Sequence, residues 1–206
     1  MAEPALVLFV QSLLIGFSIA APVGPIGLLT IQRTLQLGQS AGLATGLGAA
    51  FADAVYGAVG AFGVTTLIDA MTASRLPLAL GGSAFLMWLA YRTWRTPVAD
   101  QPADASGGAD LLRCFAGTFV LTLSNPATIL SFVAVFSTLA GSLVVASPWT
   151  MIAGVLIGSA LWWWLLSALV GRLRERFDRR WRQLVNTASA LVLAGFALWQ
   201  LGALLR

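Results

Sequence analysis

The sequence predicts an all-α polytopic membrane protein. Six transmembrane helices form two inverted three-helix repeats, and helices 1 and 4 are broken near mid-membrane. Three observations carry this prediction. Of 206 residues, 58% are hydrophobic and 10% charged, where an average soluble domain has about 25% charged residues, and the mean hydropathy is +0.86. The apolar residues fall in blocks of about 20 or more, the length that crosses a bilayer. The first and fourth blocks contain Pro- and Gly-rich or Asn-Pro interruptions that no regular helix accommodates.

The six blocks run near 5–31, 41–68, 76–94, 111–139, 148–170 and 184–205. The first carries Ser18-Ile19-Ala20-Ala21, which looks cleavable by a signal peptidase. Its upstream flank holds Glu3 and no basic residue, and its apolar run exceeds a secretory h-region, so it is expected to remain as a span. Block two is rich in glycine, the small residue of membrane helix interfaces, and block five holds Gly154-x-x-x-Gly158. Block three lies between Arg75 and Arg92–Arg95, and block six follows an arginine-rich segment.

Arginines set the orientation. All twelve basic residues are arginine. The 1–2, 3–4 and 5–6 connections hold ten of them (Arg33, Arg92, Arg95, Arg113, Arg172, Arg174, Arg176, Arg179, Arg180 and Arg182), and only Arg75 and Arg206 lie elsewhere. Positive connections stay in the cytoplasm, so both termini are expected outside, in a bacterial inner (plasma) membrane. Within the densest run, 171–183, Leu173, Phe177 and Trp181 recur every four residues. That pattern fits a helix anchored among anionic lipid headgroups. The pI near 10.6 therefore reflects leaflet charge, and no nucleic-acid partner is expected.

The Pro-, Gly-, Ser- and Asp-rich stretch 96–112 reads as a flexible cytoplasmic linker between a first three-helix repeat, 1–95, and a second, 113–206. Gly16 to Pro25 and Gly117 to Pro126 share one interval, an offset that also aligns Leu29 with Leu130 and Thr30 with Ser131. Three spans is an odd number, so the second copy enters the membrane inverted. Inverted repeats with interrupted helices are a plan of secondary transporters.

The interruptions are the first candidate site. Pro22-Val23-Gly24-Pro25 and Ser124-Asn125-Pro126 each place an N-cap residue (Gly24, Asn125) before a proline suited to the first helical position (Pro25, Pro126). A half-helix start exposes unpaired N–H groups and a partial positive charge, which bind carboxylates. Pro22, Gly24, Pro25, Asn125 and Pro126 are therefore the expected substrate-binding residues. Asp53 is the second candidate, about 20 Å into its span at 1.5 Å per residue. On a helical wheel it shares a face with Gly42, Gly46, Gly57 and Gly60, the packing face. An intramembrane carboxylate is costly and marks a substrate, ion or proton site; its expected role is proton or cation coupling. Arg33 is read mainly as a topological anchor, Trp162-Trp163-Trp164 as an interfacial belt or packing, and Tyr56 as core.

With these residues in view, the sequence resembles the lysine exporter (LysE) family, including its threonine and homoserine exporter branch. The resemblance covers nearly the whole chain. It rests on Pro22-Val23-Gly24-Pro25, on Arg33, Gly38, Gly42 and Gly46, on Asp53, on Ser124-Asn125-Pro126 and on Gly154-x-x-x-Gly158. It departs from the family at Val23, where many amino-acid exporters have an uninterrupted Pro-Gly-Pro, and at Ala90, where glycine is frequent. The resemblance implies a small exporter of amino acids driven by the proton motive force.

The expected function is thus secondary active export of amino acids or related small amphipathic metabolites. The alternative is export of a divalent metal cation, as in other members of the same superfamily. No histidine is present and Cys114 is the single cysteine, which disfavours zinc, cadmium and nickel. An enzyme is not expected, because no nucleophile–base pair is visible. The expected partners are membrane lipid, the small-molecule substrate and protons, with a second copy of the chain as a candidate for a homodimer. No cofactor is expected.

Overall fold

The computed structural model describes residues 2–22, 24–62, 75–95, 107–125, 128–132, 147–176 and 178–204. These residues are helical apart from short turns and caps. The helices are α1 (Ala2–Ala20), α2 (Pro25–Leu37), α3 (Gln39–Ala61), α4 (Arg75–Arg95), α5 (Gly108–Leu123), α6 (Pro148–Leu173) and α7 (Arg179–Leu204). Residues 128–132 add a helical segment after α5, and Arg174–Arg176 form a 3₁₀ turn after α6. Val23, Pro126, Phe177 and residues 96–106 of the expected linker lie outside the described residues. Its last residues, 108–112, are already helical in α5.

Gln39–Ala61, Pro148–Leu173 and 180–202 are long and apolar enough to cross a membrane. The stretches 5–20 and 25–37 pass the same test together as one span broken at 21–24, where α1 and α2 meet at 79°. The protein is therefore an all-helical, multi-pass membrane protein.

Local chemistry explains where the helices start and stop. Gly24 is the N-cap of α2 and Pro25 opens it, so the missing proline donor falls where no intrahelical acceptor exists. Gly38 separates α2 from α3 with φ 94°, a left-handed backbone that glycine adopts without steric cost. Its N–H closes α2 on the carbonyl of Thr34 at 3.1 Å. Ser147 caps α6 by accepting from the N–H of Thr150, ahead of Pro148. The Asp178 carboxylate caps α7 by accepting from the N–H of Trp181 at 2.9 Å.

The connection between α2 and α3 is thus a single residue, and Arg33 belongs to α2. Arg33, expected in the connection between the first two spans, is found in the last turn and a half of α2. Breaking the first span at 21–24 carries the chain back into the bundle, and the Arg33 guanidinium Nη1 bonds Thr45 Oγ1, the Cys114 carbonyl and Thr118 Oγ1 at 3.0–3.1 Å.

α3 is the central helix. Of its apolar window 67% is buried, against 33% for α6 and α7. It packs against α6 on one side and α5 on another, while α1 lies along α6 and α4 along α7. Leu14, Val120, Leu161, Leu169, Leu191 and Leu198 are among the many large apolar side chains facing outward, as a lipid solvent requires.

Candidate functional site

α3 and α6 run antiparallel with small residues between them. Gly57 meets Val155, Gly42 approaches Ser167, and Gln39 reaches Gly171. At Gly46 an added Cβ would collide with the Trp163 side chain, so glycine is what admits the indole. Helical periodicity then sets Asp53 of α3 opposite Ser159 of α6. The Ser159 hydroxyl donates to Asp53 Oδ2 at 2.7 Å, and Trp163 Nε1, one turn on, donates to Ser159 Oγ at 3.2 Å. Asp53 is only 3% exposed, and among the described residues no cation pairs with it. Its charge is therefore answered by hydrogen bonds alone, an expensive arrangement at membrane depth.

Asp53 lines a cavity of about 250 Å³. The same cavity is lined by Pro22, Gly24, Pro25, Ile26 and Gly27 from the first break and by Asn125 from the second. Five of the six residues singled out from sequence thus meet in one space; Pro126 lies outside the described residues. Both breaks restart a helix in the same way. The Leu28 N–H bonds the Gly24 carbonyl at 3.0 Å, and the Ile129 N–H bonds the Asn125 carbonyl at 3.1 Å. Residues between cap and first bond, such as Ile26 and Gly27, carry the N–H groups that precede the helical ladder.

Sequence reasoning missed three contributors. Ser159 has no signal of its own, since serine is common in membrane helices. Trp163, read as belt or packing, is buried and lines the cavity. Thr122 also lines it, is 2% exposed, and its hydroxyl has no hydrogen-bond partner among the described residues. A buried unsatisfied hydroxyl costs about 1–3 kcal/mol, so its position at a cavity wall points to a ligand or water. Tyr56 stacks on Phe132 with ring centroids 5.3 Å apart and donates to the Leu123 carbonyl at 2.7 Å, tying α3 to the last turn before the second break.

Among the described residues the arrangement offers one carboxylate, the hydroxyls of Thr122, Thr128 and Ser131 and two helix starts around a space smaller than the roughly 300–1,000 Å³ of drug-sized sites. It suits a small solute with both a cationic and an anionic end.

The LysE type translocator family model matches residues 17–201. The chain belongs to that family. Among curated relatives, "Uncharacterized membrane protein YahN" of Escherichia coli is 33% identical over 53% of this chain and 50% of its own length. "Chemotactic transduction protein ChpE" of Pseudomonas aeruginosa is 31% identical over 66% of each chain. "Putative amino acid efflux protein YcgF" of Bacillus subtilis is 28% identical over 64% of this chain and 63% of its own. The chain thus spans between half and just under two thirds of these relatives. No solved structure matches it.

Proposed function

We propose that this LysE-family protein is a secondary active exporter of amino acids or closely related amphipathic metabolites. It moves them from the cytoplasm outward across the bacterial inner membrane, driven by the proton motive force. The observation that carries this reading is the cavity shared by Asp53 and the two helix starts. The substrate carboxylate sits at the N–H groups following Gly24 and Asn125, where the helix macrodipoles favour negative charge. The ammonium faces Asp53, and Thr122 offers its unused hydroxyl to either end.

Coupling follows from the same geometry. An ammonium and a proton compete for one carboxylate, so a proton arriving from outside displaces the substrate's amino group there. Asp53 carries the proton inward and gives it up on the cytoplasmic side, where the next substrate binds. One exchange of this kind per cycle is an antiport.

Alternating access requires two arrangements of the bundle around a fixed site, and the inverted repeat supplies them. Several features support that repeat. The Gly24 and Asn125 caps stand at the same offset as the sequence match, and their first helical bonds coincide under it. Contacts between helices also exchange consistently when the halves are swapped. α1 lies on α6 as α5 lies on α3, while α3–α6 and α4–α7 map onto themselves. In both of the first two contacts a glycine meets a carbonyl, Gly158 against Leu13 and Gly48 against Phe115. Six spans with both termini outside complete the reading, since that topology keeps the arginine-rich connections cytoplasmic. Among the described residues a divalent cation would find a single carboxylate in this cavity, where hard cations take six to eight oxygens.

The test is counterflow in proteoliposomes loaded in turn with each of a panel of amino acids or with divalent cations. Saturable exchange of one or more amino acids is expected. Exchange of divalent cations alone would overturn the reading.

A further inference from the structure

The contact between α3 and α6 repeats once per helical turn. Gly57 meets Val155, and Asp53, four residues earlier on α3, meets Ser159, four residues later on α6. The same step carries the register to Ala49 and Trp163, which pack into one buried cluster with Ala20 and Ala50. Four residues span about 6 Å along a helix, so an apolar rung stands one turn from the charged one. Gly46 makes that rung possible, because a Cβ there would collide with the Trp163 side chain.

Both rungs open on the same space. Ala20, Ile26, Ala49 and Trp163 line the cavity that Asp53 lines, and Ile26 packs against their cluster from the first turn of α2. The indole N–H is already engaged with Ser159 at 3.2 Å. The side chains of this wall therefore present carbon to a solute and no free donor or acceptor.

An α-amino acid bears its side chain on the carbon that bears its ammonium. With the ammonium at Asp53 and the carboxylate at the helix starts, the side chain of that carbon has an apolar wall within one turn of the charge. Each methylene moved from water onto such a wall strengthens binding about fourfold. A hydroxyl or an ammonium placed there gives up water and finds no partner.

We propose that Ala20, Ile26, Ala49 and Trp163 form the side-chain subsite of the cavity, and that the exported solutes are amino acids with aliphatic side chains. Ala49 and Trp163 set the length of chain admitted. Gly46 is a positioning residue, acting through the indole. This assignment rests on the export reading above and adds the third group of the solute to the two charged ones.

The probes are three amino acids whose side chains have equal length and differ in the last group: norvaline with a methyl, homoserine with a hydroxyl and α,γ-diaminobutyrate with an ammonium. Alanine is the short reference. In counterflow with proteoliposomes of the full chain, norvaline should half-saturate about fifteenfold below alanine, two methylenes at about fourfold each. It should half-saturate at least about tenfold below homoserine, with diaminobutyrate weaker still. Along a series of straight-chain homologues, Ala49→Leu should move the optimum to a shorter side chain and Trp163→Leu to a longer one. Each optimum is a comparison within one protein, so a general loss of folded transporter does not shift it, and the wild-type comparison stands without either variant.

Homoserine or diaminobutyrate binding as well as norvaline would overturn the proposal and leave amino-acid export intact. An optimum that neither variant moves would overturn the placement of the side chain at this wall. Exchange of none of these amino acids, nor of any other, would instead sink the export reading and the subsite with it.

Discussion

α3 and α6 cross antiparallel at the centre of the bundle and bring opposite chemistry to one contact. α3 is the more enclosed of the two and carries the charge, Asp53. α6 is largely lipid-facing and brings only neutral donors to that charge, the Ser159 hydroxyl and, behind it, the Trp163 indole. The spacing of Gly46 and Gly63 recurs in Gly154 and Gly171, and in the proposed repeat this register puts Leu161 where Asp53 would be duplicated; Leu161 is 40% exposed. A carboxylate there would face hydrocarbon, where it costs several kcal/mol. The two places paired by the proposed repeat therefore have unequal burial, and the charge sits on the helix that can shelter it. The candidate site is a property of the contact between α3 and α6.

Perturbing each side of that contact should give graded losses. Asp53→Asn keeps the shape and a hydrogen bond to Ser159 but cannot exchange a proton. Transport driven by a pH gradient is expected to fall by at least about a hundredfold, roughly 2.7 kcal/mol, while counterflow exchange survives in part. Full gradient-driven transport in this variant would make Asp53 a structural group. Ser159→Ala removes the donor that α6 supplies. A hydrogen bond to a charged group contributes about 1.5–3 kcal/mol, so gradient-driven transport should drop about tenfold, measured as initial rates in proteoliposomes. An unchanged rate would show that α6 does no more than pack. Thr122→Val tests the cavity wall away from this contact. Its hydroxyl has no partner to lose among the described residues, so thermal stability should hold or rise while apparent substrate affinity falls about fivefold, near the 1 kcal/mol of a neutral hydrogen bond. A loss of stability with affinity intact would remove Thr122 from the site.

What the sequence disclosed follows from cost. A carboxylate within a span, and prolines beside glycine or asparagine within two others, are expensive in hydrocarbon, so Asp53, Gly24-Pro25 and Asn125, which the structure brings to one cavity, were legible as candidate site residues. Residues with ordinary reasons to be in a membrane helix were not. Ser159 and Thr122 bear small hydroxyls that helices tolerate anywhere, and Trp163 sits in a tryptophan run that an interface explains equally well. The polar contacts of Arg33 were not legible because its surroundings depend on the break. The 79° turn redirects α2, and the guanidinium then bonds Thr45, Thr118 and the Cys114 carbonyl. Periodicity locates spans and their faces, but it does not report the angle at which a broken helix resumes.

The central claim is that one cavity reads both ends of its substrate. It is tested most directly by inhibition of counterflow with three analogues of the exchanged amino acid: its amide, which lacks the carboxylate, its des-amino acid, which lacks the ammonium, and its enantiomer, which retains both. The account predicts that amide and des-amino acid each inhibit at least about tenfold less well than the parent, one charge-assisted contact being lost in each case. In Asp53→Asn the parent's advantage over the des-amino acid should vanish, while its advantage over the amide remains. Equal inhibition by parent and des-amino acid in the wild-type protein would contradict the account, because Asp53 would then not be where the ammonium binds.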